Sequence, residues 1–436
     1  MPTSRFTFLA LLVLTVSTVQ AQDVLTLREA IDLALENNYT IQMARNETAI
    51  VENNYSLGNA GFLPTAGLSA AYNGTLANTN QTFLDGSTTE RDGAKTTRKS
   101  AGATVSWRLF DGLSRFATYD RLETLVDQQH LLTRNTTELI VADVVISYYD
   151  IARQQQQRDV LQEAVDISEE RLRIAELRRD LGSASELEVR QARLDLNADR
   201  AALLRQETTL VNTKAAFNQL LVRPLDLSYT VVDSIDVAMG ITQATLLEEA
   251  TASNTVIQTA EQEREVAALE RKEIRAERLP TLDLSAGYNY SDLSAESGFL
   301  LANRSTDFTY GATLGFNIFD GFDRRRRAEN AAVRIRNAEL AIEDARTQVQ
   351  TNVNRFYQEY QNSLALIALE RENLGLARQN VDIALERFRL GTTTSIELRE
   401  VQETLTQAQS RLLIAQFEAK RAETELLRLS GRLTVE

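Results

Sequence analysis

The chain is a tandem duplication, and this feature constrains its fold more than any other property of the sequence. Three short motifs of the first half recur in the second half, 216, 209 and 209 positions later. The pairs are Leu63-Pro64-Thr65 with Leu279-Pro280-Thr281, Leu109-Phe110-Asp111-Gly112 with Ile318-Phe319-Asp320-Gly321, and Leu181-Gly182-Ser183 with Leu390-Gly391-Thr392. Self-similarity over such a long period predicts two copies of one supersecondary unit.

The duplication also predicts the organisation of the chain. We place the first repeat at residues 22–222, the connection between the repeats at residues 223–242 and the second repeat at residues 243–436. Each repeat is expected to hold a helical lead-in, a pair of strands, a very long helix, a turn at a glycine and a returning helix. The two repeats together form one intertwined unit, and they differ mainly in the loop of the strand pair.

The long helices are indicated by the absence of proline. About 70 residues without proline separate Gly112 from Gly182, and the same holds between Gly321 and Gly391. A helix of this length is a rod of about 105 Å, because the rise is about 1.5 Å per residue. A single globular core cannot enclose such a rod.

Heptad patterns indicate how these helices pack. In the last helix the apolar residues alternate spacings of three and four, which is typical of a coiled-coil seam; they are Leu398, Val401, Leu405, Ala408, Leu412, Ala415, Ala419, Ala422, Leu426 and Leu429. The return helix of the first repeat carries two heptad series about 200° apart; they are Leu187, Leu194, Ala201, Thr208, Ala215 and Val189, Leu196, Leu203, Leu210, Phe217. This return helix is therefore expected to pack on two sides, which is typical of a barrel of helices, although an ordinary helical bundle also buries heptad faces.

Four segments alternate apolar residues with small or polar ones, which is the period of a β-strand. The apolar positions run from Ala66 to Tyr72, Ala101 to Leu109, Leu282 to Tyr290 and Phe308 to Ile318. Strands of about ten residues with aromatic residues on the apolar face are typical of a membrane barrel. The aromatic side chains expected to face lipid are Tyr72, Trp107, Tyr288, Tyr290, Phe308, Tyr310 and Phe316.

Four strands cannot form a closed sheet by themselves. Each unpaired backbone group in hydrocarbon costs several kcal/mol, so the open edges must be paired. We therefore expect the sheet to close between subunits. Two copies give 8 strands, whose side chains just fill the interior, whereas three copies give 12 strands and leave a lumen. The small residues on the polar face favour the 12-stranded barrel.

Composition excludes several function classes. The chain has no Cys and one His, His130, so it lacks the residues for a thiolate metal site, a Cys nucleophile or a His-based triad. The net charge of -14 opposes binding to nucleic acid. We expect no enzyme activity, no metal and no cofactor, and scattered carboxylates give only weak support to a hydrolase.

The first 21 residues predict a secretory signal peptide. Arg5 precedes an apolar run over residues 6–16, and Val19-Gln20-Ala21 is a small-residue cleavage site. Cleavage near Ala21 would release a mature chain outside the cytoplasm. Beyond it no window reaches the about 18 apolar residues of a spanning helix, so a membrane would have to be crossed by strands.

The duplicated Leu-Pro-Thr, Phe-Asp-Gly and Leu-Gly motifs resemble those of the TolC-like outer-membrane efflux channels, over essentially the whole mature chain. The resemblance implies a mainly α-helical trimer with a 12-stranded barrel in the outer membrane, four strands per protomer, continuing into a long periplasmic α-helical barrel. It implies a passive channel of a tripartite efflux or type I secretion system, opened by an iris-like movement of the tip helices. The implied partners are outer-membrane lipid, a periplasmic adaptor of the membrane fusion protein class and an inner-membrane transporter.

The same resemblance assigns roles to residues at the turns. It implies that the two turns are periplasmic tips that contact the adaptor, through Leu181, Gly182, Ser183, Leu390, Gly391 and Thr392. It also implies a channel constriction at Glu397 and Glu400, where many relatives have Asp, with Glu188 and Gln191 at the matching positions of the first repeat. Glycine caps and helix-dipole stabilisation are the simpler explanations of these residues.

A run of four arginines follows the fourth predicted strand. Arg324 to Arg327 begin a helix and oppose its dipole, so we expect them to contact lipid phosphates, neighbouring acidic helices or solvent. Loops near residues 78–97 and 292–307 should face the cell exterior. The alternative function is a periplasmic coiled-coil scaffold or tether without channel activity.

Overall fold

The computed structural model describes residues 24–298 and 300–433. The predicted signal peptide and its cleavage site lie outside these residues. The first repeat contains β1 (Val24–Leu25), α1 (Leu27–Asn37), α2 (Tyr39–Asn54), β2 (Thr65–Thr82), β3 (Thr88–Phe110), α3 (Ser114–Asp180) and α4 (Glu186–Leu220). The connection contains β4 (Thr230–Val231), and the second repeat then contains α5 (Gln243–Ser253), α6 (Thr255–Ala276), β5 (Thr281–Ala295), β6 (Ala302–Gly315), α7 (Asp323–Arg389) and α8 (Ser395–Leu429).

The same order of elements therefore occurs twice. The two long helices α3 and α7 have 67 residues each, and the return helices α4 and α8 have 35 residues each. At about 1.5 Å per residue, α3 and α7 are uninterrupted rods of about 100 Å. The described helices include none with an apolar stretch sufficient to cross a membrane.

The four long strands form one antiparallel sheet in the order β2-β3-β5-β6. They have 18, 23, 15 and 14 residues, so the expected length of about ten was too short. The predicted loops are largely extensions of these strands, because the β2–β3 ladder continues to the pair Thr82 and Thr88. The ladder ends in a turn in which the Asp85 side chain accepts from the backbone N–H of Ser87 at 2.9 Å.

The register places the apolar positions of all four strands on one face. One cross-strand row consists of Leu68, Ala103, Tyr288 and Phe308. The neighbouring row on the opposite face consists of Gly67, Thr104, Gly287 and Thr309, as the alternation predicted. The fourth strand was predicted to reach Ile318, but β6 ends at Gly315, so Phe316 and Ile318 follow the sheet.

The apolar face of the sheet is uncovered in the single chain. The exposed fraction is 89% for Leu68, 66% for Phe308 and 83% for Tyr310. In the described residues, β2 pairs only with β3 and β6 pairs only with β5. The predicted pair of open sheet edges is therefore present.

The helices follow the order α4-α3-α8-α7. α3 packs on both α4 and α8, and α8 packs on α7. On the side towards the sheet, α2 packs on α3, and α6 packs on both α3 and α7. The predicted heptad seam of α8 is buried, since Leu398, Leu405 and Leu426 are at most 3% exposed.

One asparagine in each repeat joins two helices end to end. Asn38 caps α2 through its Oδ1, which accepts from the backbone N–H groups of Thr40 and Ile41, and its Nδ2 donates to the Leu220 carbonyl at the end of α4, at 2.9 Å. Asn254 caps α6 and donates in the same way to Leu429 at the end of α8, at 3.0 Å. Both side chains are buried, and each satisfies a terminal group of both helices that it joins.

The Phe-Asp-Gly motifs are the strand-to-helix junctions. At each junction two successive residues have positive φ, Gly112 with Leu113 and Gly321 with Phe322. A Cβ on Gly112 would lie 2.2 Å from the Ala276 carbonyl oxygen, so this position requires glycine.

Candidate functional site: the helical tips

The two tip turns have the same backbone geometry. Gly182 and Gly391 both have a φ of 76°, the left-handed region in which glycine carries no penalty. The backbone N–H of Ser183 donates to the Arg178 carbonyl at 2.8 Å, and that of Thr392 donates to the Arg387 carbonyl at 2.9 Å. These are Schellman caps. The glycine-cap explanation is thus confirmed, while contact with an adaptor stays a prediction.

The fold brings the two tips together. The guanidinium of Arg178, on the first hairpin, lies 5.2 Å from the centre of the Phe388 ring on the second. Arg178 also forms an ion pair of 3.6 Å with Glu188. Between the starts of α4 and α8 lies an open cavity of about 850 Å³, whose charged lining is Arg178, Glu188, Asp195, Glu397, Arg399 and Glu403.

The tips carry exposed apolar side chains beside this cavity. Leu181 and Leu390, in the turns, are 75% and 70% exposed. Leu187 and Ile396, at equivalent positions of α4 and α8, are each 75% exposed. Each tip therefore presents two exposed apolar side chains, one in the turn and one at the start of the return helix.

Glu397 is the N3 residue of a capping box at the start of α8. Its carboxylate accepts from the Thr393 hydroxyl and from the backbone N–H of Thr394, while the Thr394 hydroxyl accepts from the N–H of Glu397 at 3.2 Å. The Thr393 hydroxyl, followed by the Thr394 N–H, lowers the pKa of the Glu397 carboxyl from its usual value. This carboxylate therefore stabilises the helix start as an anion.

Glu400 lies three residues further along α8 and is exposed. In the first repeat, the matching Glu188 is ion-paired with Arg178, and Gln191 donates to Asp195 at 2.9 Å. Glu397 and Glu400 therefore have different polar contacts from Glu188 and Gln191, which occupy the matching positions of the first repeat. Glu397 and Glu400 of the second repeat are both exposed, whereas Glu188 of the first is half-buried.

Behind the first tip lies a buried polar network. Arg171 on α3 is completely buried, and its Nη2 donates to Asp195 on α4 at 2.6 Å. Burial lowers the pKa of this guanidinium, and the neighbouring Asp195 opposes that effect. Arg171 remains charged because arginine stays protonated in proteins, so the Asp195 carboxylate balances a buried cation.

A second part of the network joins α4 to α8. Asp199 accepts from the Ser168 hydroxyl at 2.5 Å and from Arg399 at 2.6 Å. Gln402, which is 1% exposed, donates to the Ala164 carbonyl and to the Ser168 hydroxyl, both at 2.8 Å. Side chains of α3, α4 and α8 are therefore held together close to the tips.

Glu170 ties the two long helices at their ends. It accepts from Arg173 on its own helix and from Arg389 of α7 at 3.0 Å. The hydrogen bond from Arg173, assisted by Arg389, lowers the pKa of the Glu170 carboxyl to about 2. This contact and the Arg399–Asp199 pair link the first hairpin to the second.

The four arginines after the fourth strand all have carboxylate partners. Their ion pairs are Arg324–Asp320 at 2.5 Å, Arg325–Glu329 at 2.9 Å, Arg326–Asp323 at 2.6 Å, and Arg327 with Asp323 and Glu277. Asp320 also accepts from the backbone N–H of Arg324, so this pair stabilises the helix start. The expected contact with a neighbouring acidic helix is confirmed for Arg327, because Glu277 lies at the end of α6, whereas Asp320, Asp323 and Glu329 are local partners that the expectation left out.

Sequence reasoning missed the polar network. Arg171 lies in a run rich in Glu and Arg that looks like a solvated face, and no local pattern distinguishes it. Ser168 and Gln402 are likewise unremarkable in sequence. For Arg115 and Arg324 a signal was available, because each follows the Asp of its Phe-Asp-Gly motif by four residues and pairs with it.

Comparison with known proteins agrees with the duplicated helical and strand architecture described above. The sequence matches the outer membrane efflux protein family over residues 30–222 and 246–432. The chain belongs to this family of TolC-like outer-membrane channel proteins.

Relatives and solved structures support this assignment. The chain is 25% identical to protein CyaE of Bordetella pertussis over 94% of its length and 85% of the relative. It is 22% identical to the outer membrane efflux protein BepC of Brucella suis over 97% of its length and 89% of the relative. The structure of the outer membrane protein VceC of Vibrio cholerae has the same fold, with a TM-score of 0.73 at 18% identity, covering 93% of this chain and 96% of that one.

Proposed function

We propose that three copies of this chain form an outer-membrane export channel that conducts substrates passively from an inner-membrane transporter to the exterior. The open sheet edges carry this proposal. β2 and β6 each expose one row of backbone donors and acceptors, beside an apolar face with exposed Leu68, Phe308 and Tyr310. Pairing β6 of one copy with β2 of the next removes every edge at 12 strands and leaves a lumen.

The helices support the same assembly. α4 and α7 lie at the two ends of the α4-α3-α8-α7 order, and each carries an exposed apolar stripe on the side away from its buried seam. The α4 stripe contains Leu187 and Leu194, and the α7 stripe contains Leu369, Leu376, Ile383 and Leu390. We call these the α4 stripe and the α7 stripe.

The two stripes match in height above the tips. Leu187 and Leu390 lie at the tip turns, and successive members follow in steps of seven residues, so Leu194 and Ile383 lie about one heptad, or about 10 Å, above them. Contact between the α4 stripe of one copy and the α7 stripe of the next buries both. The heptad series of α4 that begins with Leu187 and Leu194, predicted to pack on a neighbour, then packs on another subunit.

Within this channel the mouth is lined by carboxylates. Threefold copies of Glu397 and Glu400 place six carboxylates around the narrow end, a ring that attracts cations and repels anions. Opening moves the tip hairpins apart, and the Arg399–Asp199 and Arg389–Glu170 pairs are the contacts within each protomer that must then rearrange.

The tips are the surface for a periplasmic adaptor. Leu181 of the first hairpin and Ile396 of the second lie outside the two stripes and are exposed beside the cavity between the hairpins. Apolar side chains on both hairpins suit a helical hairpin of an adaptor that spans them. The energy for export then comes from the inner-membrane transporter that the adaptor recruits.

Planar-bilayer recordings test the proposed function. We expect purified wild type to insert and conduct with preference for cations, and Glu397→Gln with Glu400→Gln to lose much of that preference while conductance remains. Glu296→Gln, in the turn between β5 and β6, is the matched control and should leave selectivity unchanged. Protein that is released from membranes by a carbonate wash and never conducts would instead support the scaffold function.

A further inference from the structure

The apolar face of the sheet ends in a row of charged side chains on its hairpin side. The register aligns Tyr72, Lys99, Asp292 and Arg304 across the four strands. This row lies four residues along the strands from the row that contains Tyr288 and Phe308. Because strand side chains alternate with period two, an even separation places both rows on the same face.

The charged row marks the end of an uncharged band. Along β6, the positions on this face from Leu314 to Thr306 carry no charge, and Arg304 is the next one. Eight residues span about 27 Å along the strand, or about 20 Å along the membrane normal at a tilt of about 40°, which is comparable to the apolar band of a membrane barrel. In the proposed channel, on which this inference rests, the row therefore lies at the level of the lipid headgroups on the exterior side.

The two cations of the row are available for a ligand. Lys99 is exposed, and within the described part of the chain it takes part in no ion pair. Arg304 has a side chain that is 73% exposed and contacts Asp292 only at 3.6 Å. By contrast, the four arginines from Arg324 to Arg327, at the opposite end of the sheet, are all closely paired with carboxylates.

We propose that Lys99 and Arg304 form a binding site for the phosphate group of an anionic glycolipid in the outer leaflet of the membrane. Guanidinium and ammonium groups at headgroup level attract lipid phosphates, and arginine binds a phosphate through two parallel hydrogen bonds. Tyr72, which is 66% exposed in the same row, supplies the amphipathic ring that is typical of this depth. Asp292 limits the net charge of the row and so tunes the affinity.

Binding of lipopolysaccharide to the purified protein in detergent tests this site. The double variant Lys99→Gln with Arg304→Gln should bind about 25-fold more weakly than wild type, about fivefold for each cation removed. Asp292→Asn should bind more tightly. Arg98→Gln is the matched control, because Arg98 is adjacent to Lys99 but lies on the opposite face of the strand, and its binding should stay within about twofold of wild type.

The source of the phosphate is tested with two further probes. Dephosphorylated lipopolysaccharide should bind wild type as weakly as lipopolysaccharide binds the double variant, and inorganic phosphate at matched concentration should not displace the lipid. Equal binding by wild type and the double variant, an equal loss in Arg98→Gln, or displacement by inorganic phosphate would each overturn the proposal. The single variants Lys99→Gln and Arg304→Gln decide the matter if the double variant does not fold.

Bilayer recordings of the same preparations separate this proposal from the proposed function. Wild type that conducts but binds lipopolysaccharide regardless of Lys99 and Arg304 refutes only the lipid site. Wild type that neither inserts nor conducts refutes the channel itself.

Discussion

The return helices α4 and α8 occupy equivalent positions in the two repeats, yet their surroundings differ. α8 lies between α3 and α7, and its buried positions include residues on several sides, such as Leu398, Gln402 and Glu423. α4 packs on α3 along one face only, and Leu187 and Leu194 on its other face are exposed. The two return helices are thus similar in sequence pattern and length, and the position of each in the fold decides whether its outer face is buried within the protomer or exposed.

The largest effect is expected from removing the Asp195 carboxylate, through which α4 forms an ion pair with Arg171 of α3. Asp195→Ala leaves the fully buried Arg171 without its carboxylate, so we expect a loss of about 3–5 kcal/mol in the free energy of unfolding. Asp180→Ala removes an exposed partner of Arg179 and should change the melting temperature much less. Thermal unfolding followed by circular dichroism measures both, and equal melting temperatures would refute the role of Asp195.

Apolar truncation tests whether the inward faces of the two helices are equivalent. Leu196 of α4 and Leu405 of α8 are matched by the repeat and are 4% and 3% exposed. Replacing either by Ala should cost about 2–5 kcal/mol, since both leave a cavity in a packed seam. A large loss for Leu405→Ala with none for Leu196→Ala would show that α4 does not pack on α3 as described.

A carboxylate introduced into the α4 stripe tests whether the outward face of α4 contacts another copy. Leu194→Asp should weaken association between copies about thirtyfold or more, because a carboxylate is buried in an apolar contact. The helical content of the protomer should not change, since Leu194 is 64% exposed in the single chain. Light scattering of the purified particles measures the effect. Leu84→Asp, in the exposed turn after β2, is the control and should assemble normally.

Acid sensitivity gives the smallest expected effect. The folded-state pKa of Glu170 is lowered to about 2, so its contribution to stability is present above pH 4.5 and is lost as the pH falls through about 2. Glu170→Gln should therefore melt slightly below wild type at neutral pH, by about 1–2 °C because the group is partly exposed. The difference should shrink on acidification. A difference that grows at low pH would contradict the assigned contact.

Much of this fold could be predicted because its signals are periodic. The heptads of α8, the alternation on both sides of Tyr288, and the glycines at 182 and 391 are local consequences of helix, strand and turn geometry. The end of β6 at Gly315 was not predicted, because the apolar alternation continues to Ile318 after the ladder stops. Arg171 and Asp195 could not be predicted, since their pairing depends on which helices meet in space.

The candidate site could be predicted only in part, because contacts between helices that are distant in sequence leave no local pattern. The sequence located the two turns from their glycines, whereas Glu397 was assigned through the family resemblance and its capping box was not predicted. It did not reveal the Arg399–Asp199 pair, which joins positions 200 residues apart.

The central claim is that neighbouring copies of the chain close the sheet and the layer of helices. Cross-linking in native membranes tests this claim most directly. The chain has no Cys, so Leu194→Cys with Ile383→Cys introduces the only thiols. These positions lie on α4 and α7, which α3 and α8 separate within one protomer, so a bond between them must join two copies. We predict covalent dimers and trimers after mild oxidation. Monomers alone, with both thiols shown to react with a maleimide, would contradict the account.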